Sequence, residues 1–146
     1  MGIGYHQAAR DYFNKSIILN PNNPDVYNNL GYLLTEEQLF PEAESAFKKA
    51  LKFRPNYIEA FNNYGRLLHE MHRYEEAEAA FYNALELRPE FAEVLNNLGV
   101  LFKEQKRYEE AENCYKKALF YKVGYVEAYI NFGDLLKEVW RYDEAV

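Results

Sequence analysis

Apolar residues recur in this chain at the three- and four-residue spacing of an amphipathic helix. In the middle of the sequence one such stripe covers residues 60–71, and a second covers residues 74–85. A short break near His72 separates the two stripes, and Pro89 follows the second one. Because proline has no backbone N–H to donate and fixes its own φ, it ends a helix. This segment is therefore predicted to form a hairpin of two helices.

The hairpin pattern returns at a fixed interval of 34 residues. The marker of each copy is a glycine inside the first predicted helix of the hairpin. A constant period of this length is typical of stacked helical hairpins, in which each unit packs only against its neighbours. The pattern therefore predicts an all-α fold, an α-solenoid of antiparallel helix hairpins. The four glycines are Gly31, Gly65, Gly99 and Gly133.

Glycine inside a helix costs about 1 kcal/mol relative to alanine, so its recurrence needs a structural reason. We expect the second helix of each hairpin to approach the first one closely, because it offers small residues at equivalent places. Large aromatic residues fill the remaining space in columns of their own. The small residues are Ala43, Ala77 and Ala111, and the clearest aromatic column is Phe13, Phe47, Phe81 and Tyr115.

These columns resemble the tetratricopeptide repeat along essentially the whole chain. That family has an aromatic residue or leucine, a Leu-Gly pair, a tyrosine, two small alanine positions with an aromatic residue between them, and a closing proline. The resemblance implies a right-handed superhelix and a role in binding other proteins. Where the family has its last proline, Gly124 is expected to end the helix in a left-handed conformation. Where the family has glycine at the inner turn, this chain has Gln38, His72, Lys106 and Trp140.

The chain is predicted to be a single array of such units, with an incomplete unit at each end. Residues 5–23 correspond to the second helix of one unit, and residues 126–146 to a first helix followed by the start of a second. Three complete units lie between them, at residues 24–57, 58–91 and 92–125. No polar capping helix is visible, so we expect the sequence to be a piece of a longer array or to be patterned on one.

Two columns of asparagine lie on the predicted first helices, which line the concave side in this family. One column is constant, whereas a neighbouring position drifts from Tyr32 to Arg66, Val100 and Asp134. Recent duplication alone would have left both kinds of position equally uniform. The constant column is Asn29, Asn63, Asn97 and Asn131, and the second column is Asn28, Asn62 and Asn96, with Ile130 at its end.

An asparagine side chain offers one acceptor and two donors, which match the C=O and N–H of a peptide group. Helices pack about 8–10 Å apart, and an extended peptide advances about 3.3 Å per residue, so one asparagine could meet every third peptide unit. The constant column resembles the asparagine ladder in the tetratricopeptide arm of the nucleocytoplasmic O-linked N-acetylglucosamine transferase. The predicted peptide site comprises both columns with Tyr32 and Arg66. The alternative is that the asparagines bond neighbouring helices and hold their register.

Charge favours a neutral or basic ligand over an acidic one. The formal net charge is −6, and acidic residues recur near the predicted groove. Nucleic acid calls for a basic face and is not predicted as a partner. A membrane is not predicted either, because no apolar run is long enough to cross a bilayer. The acidic columns are Asp25, Glu59, Glu93 and Glu127, and Glu36, Glu70, Glu104 and Glu138.

No catalytic constellation is visible. His69 and His72 have a spacing that suits a shared metal ion, but no third ligand accompanies them. Cys114 has no histidine in place to activate it. We therefore predict no enzyme activity, no metal and no cofactor. The single cysteine is compatible with a reducing compartment, and we expect a cytoplasmic protein.

The function predicted from the sequence is a non-enzymatic scaffold that binds an extended segment of another protein in an Asn-lined concave groove. Two alternatives stay open. The array can assemble head to tail with copies of itself, through the uncovered faces of its end helices. The residues expected to be exposed there are Ala9, Phe13 and Ile17 at the start, and Tyr129, Phe132, Leu136 and Trp140 at the end. It can instead be the substrate-recruiting arm of a larger enzyme.

Overall fold

The computed structural model describes residues 2–145. These residues form eight helices and no strand, which confirms the all-α prediction. Short turns join α2 to α3 and α6 to α7, and the helices of each pair pack on one another as antiparallel hairpins. The helices are α1 (Gly2–Leu19), α2 (Pro24–Glu36), α3 (Phe40–Phe53), α4 (Ile58–Glu70), α5 (Tyr74–Leu87), α6 (Ala92–Glu104), α7 (Tyr108–Tyr121) and α8 (Val126–Ala145).

The chain divides into two compact units, and the division falls between Ala80 and Phe81. We call the part before it the amino-terminal unit and the part after it the carboxy-terminal unit. The amino-terminal unit holds α1–α4 and the first half of α5, and the carboxy-terminal unit holds the rest. Each has buried apolar clusters of its own.

The core of the amino-terminal unit forms where the hairpin α2–α3 meets α4. Phe47 is completely buried there, with Leu34 and Leu67 beside it. A second cluster around Tyr27 and Ala60 lies further along the same helices. Burying a side chain of the size of Phe or Leu contributes about 1.5–3 kcal/mol, so the apolar stripes recognised in the sequence account for the packing of these helices.

Glycine is required in α2 because an aromatic ring of α3 lies against its backbone. A Cβ atom added to Gly31 would come within 2.7 Å of the Phe47 ring. The carboxy-terminal unit repeats the arrangement, with 2.6 Å between such an atom on Gly99 and the ring of Tyr115. The predicted close approach of the two helices is confirmed at these two glycines. The group that contacts the glycine is an aromatic ring, of Phe47 or Tyr115, and not one of the small alanines.

The core of the carboxy-terminal unit lies between α6, α7 and α8. Leu95, Ala118 and Ala128 are buried together, and Leu98 and Phe102 of α6 are fully buried as well. Along α6 these apolar residues recur every three or four positions, so one face of the helix is covered by α7 and α8.

Helix starts and turns follow local sequence signals. At the start of α2, the side chain of Asn23 accepts a hydrogen bond of 3.0 Å from the backbone N–H of Asp25. Three inner turns contain a residue in the left-handed region, where the family has glycine. These residues are Gln38 (φ 61°), His72 (φ 59°) and Lys106 (φ 59°).

Two expectations about helix ends are wrong. No turn forms at Trp140, because α8 continues as one helix to Ala145. A bulky aromatic residue is costly at positive φ, and the uninterrupted helix avoids that cost. Gly124 does have a positive φ of 78°. It lies beyond Lys122, however, and Lys122 ends α7 in an extended conformation, so Gly124 is not the cap itself. The other predicted unit boundaries stay predictions.

Candidate functional site

A cleft of about 450 Å³ in the amino-terminal unit contains three of the predicted peptide-binding residues. Asn29 and Tyr32 come from α2, and Asn63 comes from α4. Residues of α1 and α2 supply an apolar wall beside them. The wall consists of Ala9, Phe13 and Leu33.

Helix geometry explains why these polar side chains meet. Asn29 and Tyr32 are three residues apart on α2, so they lie on the same face of that helix. On α4 the same spacing separates Asn63 from Arg66. The guanidinium of Arg66 lies 5.9 Å from the centre of the Tyr32 ring, within the range of a cation–π contact. Arg66 therefore places a positive charge next to the cleft.

The two asparagine columns are hydrogen-bonded to each other. In the amino-terminal unit, Nδ2 of Asn63 donates to Oδ1 of Asn28 over 3.1 Å. In the carboxy-terminal unit, Nδ2 of Asn131 donates to Oδ1 of Asn96 over 3.0 Å. In each case the bond joins the first helix of one repeat to the first helix of the repeat before it, α4 to α2 and α8 to α6. Bonds of this kind are what the alternative interpretation of the sequence predicts, in which the asparagines bond neighbouring helices and hold their register.

Members of the second column lie in the interior. Asn28 is 6% exposed and Asn96 is fully buried. Nδ2 of Asn96 also donates to the carboxylate of Glu127 over 3.4 Å. Buried amides with internal partners are poorly placed to contact a ligand, so for Asn28 and Asn96 the geometry favours a structural role. Asn62 is half-buried, and at the end of the column Ile130 is exposed.

Asn29 differs from the other members of the constant column. It is exposed, whereas Asn63, Asn97 and Asn131 are half-buried. Among the described residues its side chain has no hydrogen-bond partner. Asn63 uses one hydrogen of Nδ2 for Asn28, and its Oδ1 and second hydrogen take part in no bond within the described residues. Both residues therefore have amide groups available at the cleft.

Two of the predicted acidic charges are neutralised by ion pairs. The guanidinium of Arg54 donates to both carboxylate oxygens of Asp25, over 2.8 and 3.0 Å, and the hydroxyl of Tyr57 donates over 2.8 Å. The Arg54 bonds, with help from Tyr57, hold the pKa of Asp25 below its usual value. Burial, together with the bond to Asp25, raises the pKa of Tyr57 to about 12.

The equivalent pair in the carboxy-terminal unit joins Glu93 to Lys122 over 2.5 Å. Burial acts to raise the pKa of Glu93, but the bond to Lys122, the bond to the residue's own backbone and the positive charges of Lys122 and Arg88 together lower it. Sequence reasoning missed both pairs. The signal was present, because basic residues recur at the 34-residue interval of the repeat. They are Arg54, Arg88 and Lys122.

Comparison with known proteins identifies the repeat. The sequence profile of the tetratricopeptide repeat matches residues 23–90 and again residues 56–119, which together make up more than half of the chain. The chain belongs to the tetratricopeptide repeat family. Proteins of this family are generally non-enzymatic interaction scaffolds. No curated protein sequence matches the chain.

Solved structures with the same fold include PilF from Pseudomonas aeruginosa, at 27% identity and a TM-score of 0.85. The match covers 95% of this chain and 64% of that protein, so this chain spans less than two thirds of PilF. Two structures of MamA match at 23% identity, with TM-scores of 0.77 and 0.80. They cover 91% and 97% of this chain and 78% of MamA, and they show the fold alone.

The end helices of this tetratricopeptide chain have apolar residues at the surface. On α8, Tyr129, Leu136 and Trp140 are exposed, as the self-assembly hypothesis requires, but Phe132 is half-buried, with its ring centre 6.0 Å from that of Tyr115. Among the described residues, no atom apart from the helix's own backbone approaches the Cβ position of Gly133. On α1 the residues that were expected to be exposed are half-buried, so the expectation of an exposed face is wrong there. They are Ala9, Phe13 and Ile17.

The remaining chemical candidates have ordinary surroundings. His72 lies in the turn, and its Nδ1 is 3.0 Å from the hydroxyl of Tyr74. Cys114 is a buried free thiol. Within residues 2–145 no group of three or more potential metal ligands comes together. No helix in that range is both long enough and apolar enough to span a bilayer.

Proposed function

We propose that this tetratricopeptide protein is a non-enzymatic scaffold that binds an extended segment of another protein in the cleft of its amino-terminal unit. The observation that carries the proposal is the exposed amide of Asn29, which lies beside Asn63 in a cleft with an apolar wall. An amide without an internal partner is available to bond the backbone of a ligand, and an apolar wall can receive a side chain.

The chemistry of the cleft fits a peptide group. Asn29 offers two donors and an acceptor, and Asn63 keeps one donor and its Oδ1 after bonding Asn28. A neutral hydrogen bond of this kind contributes about 0.5–1.5 kcal/mol. Two asparagines alone therefore give weak binding. Burial of an apolar ligand side chain against Phe13 and Leu33 adds the larger share.

We further propose a neutral or basic ligand and a cytoplasmic location. The net charge of −6 steers basic segments towards the protein. The ion pair of Asp25 reduces this preference, and Arg66 places one positive charge beside the cleft. The single buried thiol of Cys114 accords with a reducing compartment.

The experiment begins with selection of peptides from a random-sequence library and measurement of their Kd by fluorescence anisotropy. Asn29→Ala should weaken binding of a selected peptide about threefold to tenfold, with no change in thermal stability, because Asn29 has no internal bond to lose. The matched control is Asn56→Ala, at an exposed asparagine in the turn after α3. Equal Kd values for the parent and Asn29→Ala would contradict the proposal.

A second candidate function is head-to-tail self-assembly. The observation in its favour is the exposed face of α8 around Gly133 and Leu136. Tyr12 of α1 counts against it. The equivalent residues of α3 and α7 are Ala46 and Cys114, which are smaller. Tyr12 would therefore crowd a helix from another copy that packed against α1. Sedimentation over a range of concentrations tests it, and a strict monomer at the highest concentration would rule it out.

A further inference from the structure

A second cleft in the amino-terminal unit has a charge opposite to that of the whole protein. Its volume is about 600 Å³, and it lies on α3 next to the turn that follows α4. It shares no lining residue with the asparagine cleft. Four cationic side chains and one carboxylate line it, in a chain whose net charge is −6. They are Lys48, Lys49, Lys52, Arg73 and Glu44.

The single carboxylate of the cleft, that of Glu44, is already paired with two cationic side chains. Lys48 Nζ lies 2.7 Å from one oxygen of Glu44, and Arg73 donates to the other. Arg73 also donates to Glu76, over 2.9 Å from its Nε, so its own charge is balanced as well. Burial acts to raise the pKa of Glu44, but these two bonds outweigh it and the pKa is lowered. Glu44 therefore stays ionised and paired at neutral pH, and it does not cancel the charge of the other two lysines.

Lys49 and Lys52 supply the positive charge that is left over. Both are exposed, and neither has a carboxylate partner among the described residues. Their ammonium groups lie instead over aromatic rings, at 5.6 Å from the centre of Tyr27 and 5.8 Å from that of Phe53. A cation–π contact holds a side chain in place without neutralising its charge.

Part of this charge belongs to the repeat and part is particular to α3. Lys48 and Lys49 recur on α7 as Lys116 and Lys117. At the positions of Lys52 and Pro41, however, the equivalent hairpin α6–α7 has Phe120 and Glu109. The third lysine, and the absence of an acidic residue at the position of Pro41, therefore distinguish the cleft on α3.

We propose that this basic cleft on α3 is a docking site for an acidic segment of a partner protein. Lys49 and Lys52 are three residues apart, so their side chains are neighbours on α3 and can meet successive carboxylates. Pro41 and Met71 line the same cleft and provide apolar surface for one aliphatic side chain of the segment. A nucleic acid would need a more extended basic face than these few charges supply.

The test uses a fluorescein-labelled peptide rich in Asp and Glu with one central Leu, titrated against the whole chain by anisotropy. Lys49→Glu/Lys52→Glu should weaken binding about tenfold or more, because two attractions become repulsions. Lys116→Glu/Lys117→Glu on α7 is the matched control and should leave the Kd unchanged. Asn29→Ala should also leave it unchanged, which separates this site from the proposed peptide cleft.

Three further measurements decide between the explanations. The charge-reversed variant should gain more affinity for a Lys-rich version of the peptide than Lys116→Glu/Lys117→Glu does, because the two variants have the same net charge and differ only in where it lies. A peptide with Gln and Asn in place of the acids should not bind the parent. The proposal is overturned if that neutral peptide binds equally well, if the α7 control weakens binding as much as the α3 variant does, or if a single-stranded DNA of equal charge binds as tightly as the acidic peptide.

Discussion

The hairpins α2–α3 and α6–α7 solve the same packing problem with different rings. In the amino-terminal unit Phe47 lies against Gly31, and in the carboxy-terminal unit Tyr115 lies against Gly99. Both rings are completely buried. The hydroxyl of Tyr115, however, has no hydrogen-bond partner among the described residues. The comparison teaches that this position selects for the shape of an aromatic ring and tolerates an unsatisfied polar atom.

The asparagine pairs differ between the two units as well. Asn28 keeps slight contact with solvent and serves as acceptor for Asn63. Asn96 is fully buried, serves as acceptor for Asn131 and donates to Glu127. The same column is therefore integrated more deeply into the carboxy-terminal unit. The cleft with the unpartnered amide of Asn29 belongs to the amino-terminal unit, and this is why we place the proposed peptide site there.

The largest expected effect comes from filling the space between glycine and ring. Gly31→Ala and Gly99→Ala should each lower the free energy of unfolding by about 1–3 kcal/mol, because the new methyl group overlaps a buried ring. Denaturant unfolding followed by circular dichroism measures the change. If the two hairpins use the glycine in the same way, the two losses should agree.

Gly133→Ala is the matched control for these substitutions. Among the described residues, no atom apart from the helix's own backbone lies within 4 Å of the Cβ position of Gly133, so the change should stabilise the protein by about 0.5–1 kcal/mol through helix propensity alone. A loss of stability in this variant, or unchanged stability in Gly31→Ala, would contradict the role assigned to the ring contact.

The next effect should come from the hydroxyl that distinguishes the two rings. Burial raises the pKa of Tyr115, and its oxygen is unsatisfied. Tyr115→Phe should therefore raise the free energy of unfolding by about 1 kcal/mol, since it removes the desolvation cost of an unpaired polar atom. The reverse change, Phe47→Tyr, should lower it. Calorimetric melting of both variants tests the pair, and destabilisation by Tyr115→Phe would mean that the hydroxyl has a partner.

The helices were readable from the sequence, but several contacts between side chains were not. Periodicity predicted the hairpins, and the resemblance to the family located the inner turns at Gln38 and His72, but the left-handed conformation of these residues was not predicted. The choice between a ligand and a neighbouring helix as partner of Asn63 stayed open, because a column of amides fits both. The turn expected at Trp140 does not form. The repeat pattern marks where a turn would fall, but it does not say whether a second helix packs after that turn. The basic cleft was not predicted, because its lining comes from α3 and from a turn that is distant from α3 in the sequence.

The smallest expected effect concerns the ion pairs, and it sharpens the comparison at the surface. The pKa of Asp25 is lowered in the folded protein, first by Arg54 and then by Tyr57. A group with a lowered folded pKa contributes stability at pH values above its unfolded pKa, about 3.9. That contribution is lost as the pH falls through the lower, folded value. Acidification from about pH 5 downwards should therefore destabilise the parent more than it destabilises Arg54→Ala.

The corresponding variant in the carboxy-terminal unit is Lys122→Ala, which removes the partner of Glu93. Its effect on the pH dependence should be the smaller of the two, because Lys122 makes one ionic contact with Glu93 whereas Arg54 makes two with Asp25. The four charged side chains are about half exposed, so each difference should stay below about 1 kcal/mol and shrink further in high salt. Denaturant unfolding at a series of pH values measures both differences. Equal pH profiles for Arg54→Ala and the parent would show that the Asp25 pair contributes nothing to stability, and a larger effect of Lys122→Ala would reverse the order inferred from the geometry.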